Sequence, residues 1–153
     1  MLFLLFQLGD ERYALDTRHV AEVLPLVAIT PILQAPTGVA GLFNYRGAPV
    51  PALDLSLLTL GRPAPARLNT RLVVVHYPDH RGDTRLLGLI AEKVTETVRR
   101  DPAEFVVSGI TLDRAPYLGP IATDARGLLQ WIEVERLVPA SVRDVLFTSP
   151  LEQ

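Results

Sequence analysis

Few side chains in this sequence stand at spacings that make chemistry. The three histidines, His19, His76 and His80, share no helical i, i+4 spacing, and no carboxylate pattern completes a metal set with them. Strand-end and loop positions account for them better than a zinc or iron centre does. Ser56, Ser108, Ser141 and Ser149 lie outside any Gly-x-Ser-x-Gly elbow, and no glycine-rich phosphate loop is present. Glu92 with Glu96, and Glu133 with Glu135, are paired carboxylates on paper, yet Lys93, Arg99 and Arg136 beside them read as solvated charge faces. The absence of cysteine removes disulfides, thiolate metal ligands and a thiol nucleophile. No catalytic constellation emerges and no metal or cofactor is expected, which shifts weight to a binding module.

Arg46 is the charged residue with the most to offer. One reading makes it a solvated arginine beside a turn, the usual fate of such side chains. The other notes that a guanidinium presents a rigid fork of donors suited to a carboxylate, and that Glu22 lies upstream in another predicted strand. A Glu22–Arg46 pair would tie two strands together and mark a polar spot on an apolar surface.

The stretch from Gly41 to Asp54 must position Arg46. Its apolar arms, Leu42-Phe43 and Val50-Pro51-Ala52-Leu53, flank Asn44-Tyr45-Arg46-Gly47, the composition of a β-hairpin with glycine where a positive φ is needed. Pro49 and Pro51 lie two apart, hence on one side of the second arm, and their missing donors confine that arm to a sheet edge. An edge that cannot pair its own backbone is a place for a partner.

Around this hairpin the pattern is one of short strands. Residues 2–8 form a continuous apolar run, read as a buried strand, followed by a turn at Gly9-Asp10-Glu11 and a second strand near residues 13–15. Asp16-Thr17 is placed to cap a short helical turn before an extended segment over residues 20–24. Residues 28–38 read as a loop with room for one helical turn. Asp54 is a good N-cap for a short helix ended by Gly61, and residues 62–67 form a stiff proline-rich connector. Residues 71–77 carry a β-branched run suited to burial on both sides, and residues 86–91 and 94–98 are extended around a bulge at Glu92-Lys93. Further strands are expected at 105–110, 117–121 and 128–132, the last entered by a turn at Asp124-Ala125-Arg126-Gly127, with helical pieces at 133–138 and 142–147. The tally of about ten short strands argues an all-β barrel or sandwich. No internal repeat stands out.

With 153 residues the chain is one domain's worth and can bury roughly two-thirds of its unfolded surface. A hydrophobic fraction of 48% and a charged fraction of 21% argue against disorder, while a net charge of −2 gives no field to attract nucleic acid or an anionic membrane. The apolar start, Met1 to Phe6, has no basic n-region and is too short to span a bilayer, so no direct membrane insertion is expected.

Taken in order, the chain resembles the CheW-like family of chemotaxis coupling proteins. The likeness rests on Phe6-Gln7-Leu8-Gly9-Asp10-Glu11-Arg12-Tyr13-Ala14-Leu15-Asp16, on Val20-Ala21-Glu22-Val23-Leu24, and above all on Gly41-Leu42-Phe43-Asn44-Tyr45-Arg46-Gly47 with its proline-containing strand. It continues through Thr70-Arg71-Leu72-Val73-Val74-Val75 and Leu87-Gly88-Leu89-Ile90 to Gly119 and residues 128–137, covering nearly the whole chain. The resemblance implies one CheW-like domain over residues 1–153, built as two interlocked five-stranded SH3-like β-barrels with short helices and a hydrophobic seam. Residues 10–80 would make the first barrel, and residues 1–9 with 84–147 the second. It implies no catalysis and no cofactor. The partners it implies are the cytoplasmic tip of a methyl-accepting chemoreceptor and the regulatory domain of a CheA-type histidine kinase, with the protein cytoplasmic and recruited peripherally to receptor arrays at the inner membrane.

By position, Val20, Glu22, Gly41, Asn44 and Arg46 match places associated with receptor contact or its support, and Leu87, Gly88, Leu89 and Ile90 fall where kinase contact is plausible, in the second barrel. Tyr45 stands where leucine is common, and Ala91-Glu92 replaces a frequent aspartate ending. No tail precedes the first strand and the chain ends soon after the fold, which favours a stand-alone coupler. Three rival readings remain at this point: a scaffold of an alternative chemosensory pathway serving surface sensing, pili or second-messenger output, a small enzyme with a site between barrels, and a purely structural oligomer.

Overall fold

Strands that are apolar on both faces must lie between two cores, and several strands of this chain do so, β1 and β6 among them. The computed structural model describes residues 1–79, 81–107 and 115–147. In β1 (Leu2–Leu8), Phe3 and Leu5 enter one core while Leu4, Phe6 and Leu8 enter another. The later strand β6 (Arg71–Pro78) does the same, with Leu72 and Val74 on one side and Val73, Val75 and Tyr77 on the other. Each such side chain contributes roughly 1.5–3 kcal/mol by leaving water. The continuous apolar runs in the sequence are therefore doubly buried strands.

The remaining strands are β2 (Glu11–Asp16), β3 (Val20–Pro25), β4 (Val39–Tyr45), β5 (Ala48–Asp54), β7 (Thr84–Arg99), β8 (Leu118–Asp124) and β9 (Gly127–Ile132). Helix α1 (Leu55–Leu60) starts at Asp54, whose carboxylate accepts from the Ser56 and Leu57 amides, and stops at Gly61 in the left-handed region. Asp16 caps a 3-10 turn over Thr17–His19 in the expected way. A second helix, α2 (Ala140–Leu146), follows a 3-10 turn at Val134–Arg136.

Hydrogen bonding sorts the strands into two five-stranded barrels. Barrel 1 has the order β3-β6-β7-β5-β4 and is sealed by a backbone bridge from Thr30, just beyond β3, to Leu42 in β4. Barrel 2 has the order β7-β1-β2-β9-β8 and is sealed by a bridge from Val106, just beyond β7, to Ile121 in β8. Each contains one parallel pair, β5 with β7 and β2 with β9. Each has a small interior of its own, and the largest apolar cluster, with Leu53, Val73 and Leu89 from one barrel and Leu4, Phe6 and Leu15 from the other, fills the seam between them.

Strand β7 belongs to both barrels. Residues 84–91 pair with β6, and Glu92 onwards pairs with β1. The expected bulge lies at the crossing, where Lys93 adopts φ 48°. The two strands expected over 86–98 are thus one long strand. Two barrel boundaries change as a result. Residues 11–16 stay with β1 through the tight Gly9-Asp10 turn and join barrel 2, whereas residues 84–91 join barrel 1.

The loop over residues 28–38 contains no helical turn. Pro31, Pro36 and the left-handed Gln34 (φ 56°) leave two tight turns instead, closed by the Ala35 amide on the Ile32 carbonyl and by the Val39 amide on the Pro36 carbonyl. Of the strand expected at 105–110, Val106 forms the sealing bridge. Residues 108–110, together with His80, Ser108 and Ser149, lie outside the described residues.

Candidate functional site: the β4–β5 hairpin and its groove

Strands β4 and β5 are joined by two residues, with Tyr45 opposite Ala48. Both linking residues have positive φ, 52° at Arg46 and 88° at Gly47, the signature of a type I′ turn whose twist matches its strands. Glycine adopts this conformation freely; an arginine at the first position is disfavoured because its Cβ crowds the following carbonyl. Asn44 supports the turn, its Oδ1 accepting from the Gly47 amide at 2.8 Å.

The arginine is held by the partner its chemistry suggested. Arg46 Nη2 donates to Glu22 Oε1 at 3.0 Å, and the Tyr45 hydroxyl donates to the same oxygen at 2.8 Å. The guanidinium carbon also lies 5.2 Å from the centroid of the Tyr45 ring. The hydrogen bond to the Glu22 carboxylate raises the Tyr45 hydroxyl above its ordinary pKa, so it remains a donor throughout the physiological range. Glu22 comes from β3, where Leu24 on the same side packs into barrel 1. Arg46 remains 76% exposed and Glu22 36%. Such a pair contributes only about 0–1 kcal/mol to folding, so its charge and donors are free to meet a partner.

The other matched positions separate into different roles. Val20 pairs with Val75 and packs against the seam. Gly41 (φ 146°) admits no side chain, since a Cβ there would stand 2.0 Å from the Thr30 carbonyl oxygen that seals barrel 1. It supports the surface from beneath. The kinase-contact placement of Leu87, Gly88, Leu89 and Ile90 is corrected. The three side chains are 0%, 1% and 6% exposed, Gly88 is packed against the Phe43 ring, and all four lie in barrel 1 rather than barrel 2. A run buried on both faces offers nothing to a partner.

Beside the hairpin, β5 and β7 diverge. Their parallel pairing begins only at Ala52 and Gly88. The alternation set by the Tyr45/Ala48 pair points the nitrogens of Pro49 and Pro51 away from β4 and into this fork, where neither can donate. Closure of the sheet is thereby blocked, and an open groove of about 590 Å³ remains, walled by Leu42, Pro49, Pro51, Leu86, Leu146 and Phe147.

The carboxylates with buried chemistry are committed elsewhere. Asp16 and Asp54 are caps, and Asp79 accepts from Arg85 and two amides of its own turn. Glu92, expected on a solvated face, is only 5% exposed and accepts from Ser56 Oγ and Arg62. Glu96 is exposed as expected and pairs with Arg126, and Glu133 pairs with Arg136. Among the described residues no group of three histidine or acidic side chains is placed to hold a metal. Sequence reasoning missed Tyr45 as a third member of the Glu22–Arg46 cluster; its only signal was its unusual presence where leucine is common.

Two fused five-stranded barrels that share one strand, with a groove left open beside the β4–β5 hairpin, are the class of fold the geometry defines. The CheW-like domain family model matches residues 2–142, and the chain belongs to that family. It is 26% identical over 142 residues to the chemotaxis protein CheW of Klebsiella aerogenes, covering 89% of this chain and 80% of that protein. It is also 26% identical over 144 residues to the chemotaxis protein CheW of Rhizobium meliloti, covering 91% and 88%. The crystal structure of the scaffolding protein TtCheW from Thermoanaerobacter tengcongensis superimposes with a TM-score of 0.78 at 26% identity, covering 92% of this chain and 89% of that one. The family is one of non-enzymatic scaffold and coupling proteins of chemotaxis. No helix among the described residues is long and apolar enough to cross a membrane.

Proposed function

We propose that this protein is an adaptor that couples methyl-accepting chemoreceptors to a CheA-type histidine kinase, and that the β4–β5 hairpin is its receptor-facing surface. The observation that carries the reading is the exposed Glu22–Tyr45–Arg46 cluster at the tip of the hairpin whose other arm, through Pro49 and Pro51, walls an apolar groove that the fold itself leaves open. A helical hairpin at a receptor tip can lay apolar side chains into such a groove while polar groups engage the cluster. Val20, Gly41 and Asn44 serve that surface by packing, clearance and turn support.

A contact of this kind is small, about 1,200 Å² or less, and gains strength from repetition in an array. Recruitment to receptor arrays at the inner membrane follows from this role. The kinase contact uses surface other than Leu87–Ile90.

The test is sedimentation of receptor-containing membranes with the cognate kinase, with and without the protein, while kinase autophosphorylation is followed. Protein-dependent recruitment of the kinase and a changed autophosphorylation rate are expected, and Arg46→Ala or Glu22→Ala should weaken both while the fold persists. If the protein pellets with neither partner at low salt, the coupling role fails.

A further inference from the structure

We propose that a second site, at the crossing between the barrels, binds a small phosphoryl-bearing anion. The site is a pocket of about 440 Å³ formed by the β1–β2 turn, the connector after α1 and the bulged step of β7. Arg62, Arg67 and Lys93 line it, together with Asp10 and Glu92. It lies apart from the β4–β5 hairpin, and the inference does not depend on receptor coupling.

Three features set this pocket apart from an ordinary charged surface. Glu92, buried beneath it, accepts from Ser56 Oγ and from Arg62 Nη1 at 3.2 Å, so this carboxylate is occupied and fixes Arg62 in the wall. The side chains of Arg67 and Lys93 have no hydrogen-bond or ion-pair partner among the described residues, which leaves two uncommitted cations against one exposed carboxylate, Asp10. The wall is also rigid. Pro63 and Pro65 stiffen the connector, the Ala64 amide donates to Asp54 Oδ2 at 2.9 Å, and Thr70 Oγ1 donates to the Pro65 carbonyl at 2.6 Å.

Lys93 is held at φ 48°, a conformation disfavoured for any residue with a side chain. Glycine would satisfy the bulge more easily, yet the position supplies an ammonium. Guanidinium forks with an adjacent point-charge donor are the donor set that a phosphoryl dianion accepts best, and a concave pocket of this size suits a small molecule rather than a flat macromolecular face. Because the walls come from both barrels, an occupant would stabilise their junction.

Pyrophosphate is the probe, titrated into the full chain at low salt by calorimetry, with thermal melting in parallel. Saturable binding and a raised Tm are expected, with Arg67→Ala and Lys93→Gly each weakening affinity by about five- to tenfold and Asp10→Asn strengthening it by about two- to fivefold. Lys93→Gly should melt no lower than the parent, since glycine relieves the positive φ, so its binding defect cannot be ascribed to unfolding. Vesicles bearing anionic phospholipid distinguish the source of the phosphoryl group: binding that pyrophosphate displaces assigns it to a lipid headgroup, and no vesicle binding assigns it to a soluble ligand. The proposal is overturned if pyrophosphate shows no saturable binding at millimolar concentration, or if folded Arg67→Ala and Lys93→Gly bind as tightly as the parent.

Discussion

Read from β7 through β8, β9, β1 and β2, barrel 2 follows the same strand path that barrel 1 follows from β3 through β7. In each, the first strand ends in a segment that bridges to the second, and the third and fifth strands pair in parallel. The hairpins also correspond. Asn44-Tyr45-Arg46-Gly47 in barrel 1 is matched by Asp124-Ala125-Arg126-Gly127 in barrel 2, and each arginine bonds a glutamate on its barrel's first strand, Glu22 at 3.0 Å and Glu96 at 3.3 Å. In both, the side-chain oxygen of the leading residue accepts a turn amide at 2.8 Å.

What differs is how each hairpin is tied down. Asp124 is clamped by Arg12 at 2.6 Å and by Arg100 at 3.2 Å, and Arg126 keeps an ordinary negative φ. Barrel 1 has the neutral Asn44 instead, a left-handed Arg46 and an unclosed groove beside it. One framework thus yields a hairpin clamped by two arginines and another held by a single exposed ion pair.

The most severe test of the comparison is Val74→Asp, which buries an unpaired charge in the interior of barrel 1. A loss exceeding about 4 kcal/mol, enough to unfold the protein, is expected by circular dichroism. Because β7 serves both barrels, the fluorescence of Trp131, the only tryptophan and a neighbour of the barrel 2 interior, should report unfolding at the same midpoint. A native Trp131 signal in the unfolded barrel 1 would show that the barrels are independent.

Next in size is Gly41→Ala, expected to cost about 2–4 kcal/mol because the new Cβ meets the Thr30 backbone. The corresponding region of barrel 2 is more forgiving. Gly119→Ala brings a Cβ to 3.0 Å from the Trp131 carbonyl, at ordinary rather than positive φ, and chemical denaturation should show the smaller loss.

Acid separates the two hairpins through their leading residues. The Arg12 side-chain hydrogen bond, outweighing partial burial, pushes the Asp124 carboxyl down to about 2. Its folded pKa lies below the unfolded value, so the stability it contributes is fully present above about pH 4 and is lost as pH falls toward 2. Asp124→Asn should flatten the stability profile in that window, while Asn44→Ala, lacking a titrating group, should lower the curve without changing its shape.

The smallest effects are the most discriminating. Arg46→Gly should leave stability unchanged or raise it by up to about 1 kcal/mol, because glycine suits the left-handed turn, while receptor coupling falls. Arg126→Gly should instead cost about 0.5–1 kcal/mol, since that arginine's backbone gains nothing from glycine. Equal responses in thermal melts would remove the distinction between a strained and a relaxed hairpin.

Much of the local structure was legible. Asp16, Asp54 and Gly61 act where their capping chemistry placed them, Lys93 bulges, and Glu22 meets Arg46. Barrel membership was not legible, because the pairing of Arg12 with Leu129 leaves no mark near either residue. The internal repeat escaped for a related reason: its copies align only after circular shift and share little beyond the Asn/Asp-x-Arg-Gly turn. Leu87 to Ile90 shows a different limit. An unbroken apolar run in this chain signals burial on both faces, and the same rule that explained β1 and β6 excludes it as a contact surface.

The shared strand β7 also governs the order in which the chain can fold. All strands of barrel 1 lie between residues 20 and 99, so it can close early, whereas β1 and β2 must wait for β8 and β9 before barrel 2 is complete. Such distant pairings make for slow folding, and during translation they leave the apolar edge of β1 and β2 open to other chains until residue 132 has emerged. The strand that joins the two barrels in the finished scaffold thus comes with a long interval in which nascent β1 and β2 lack their partner strands.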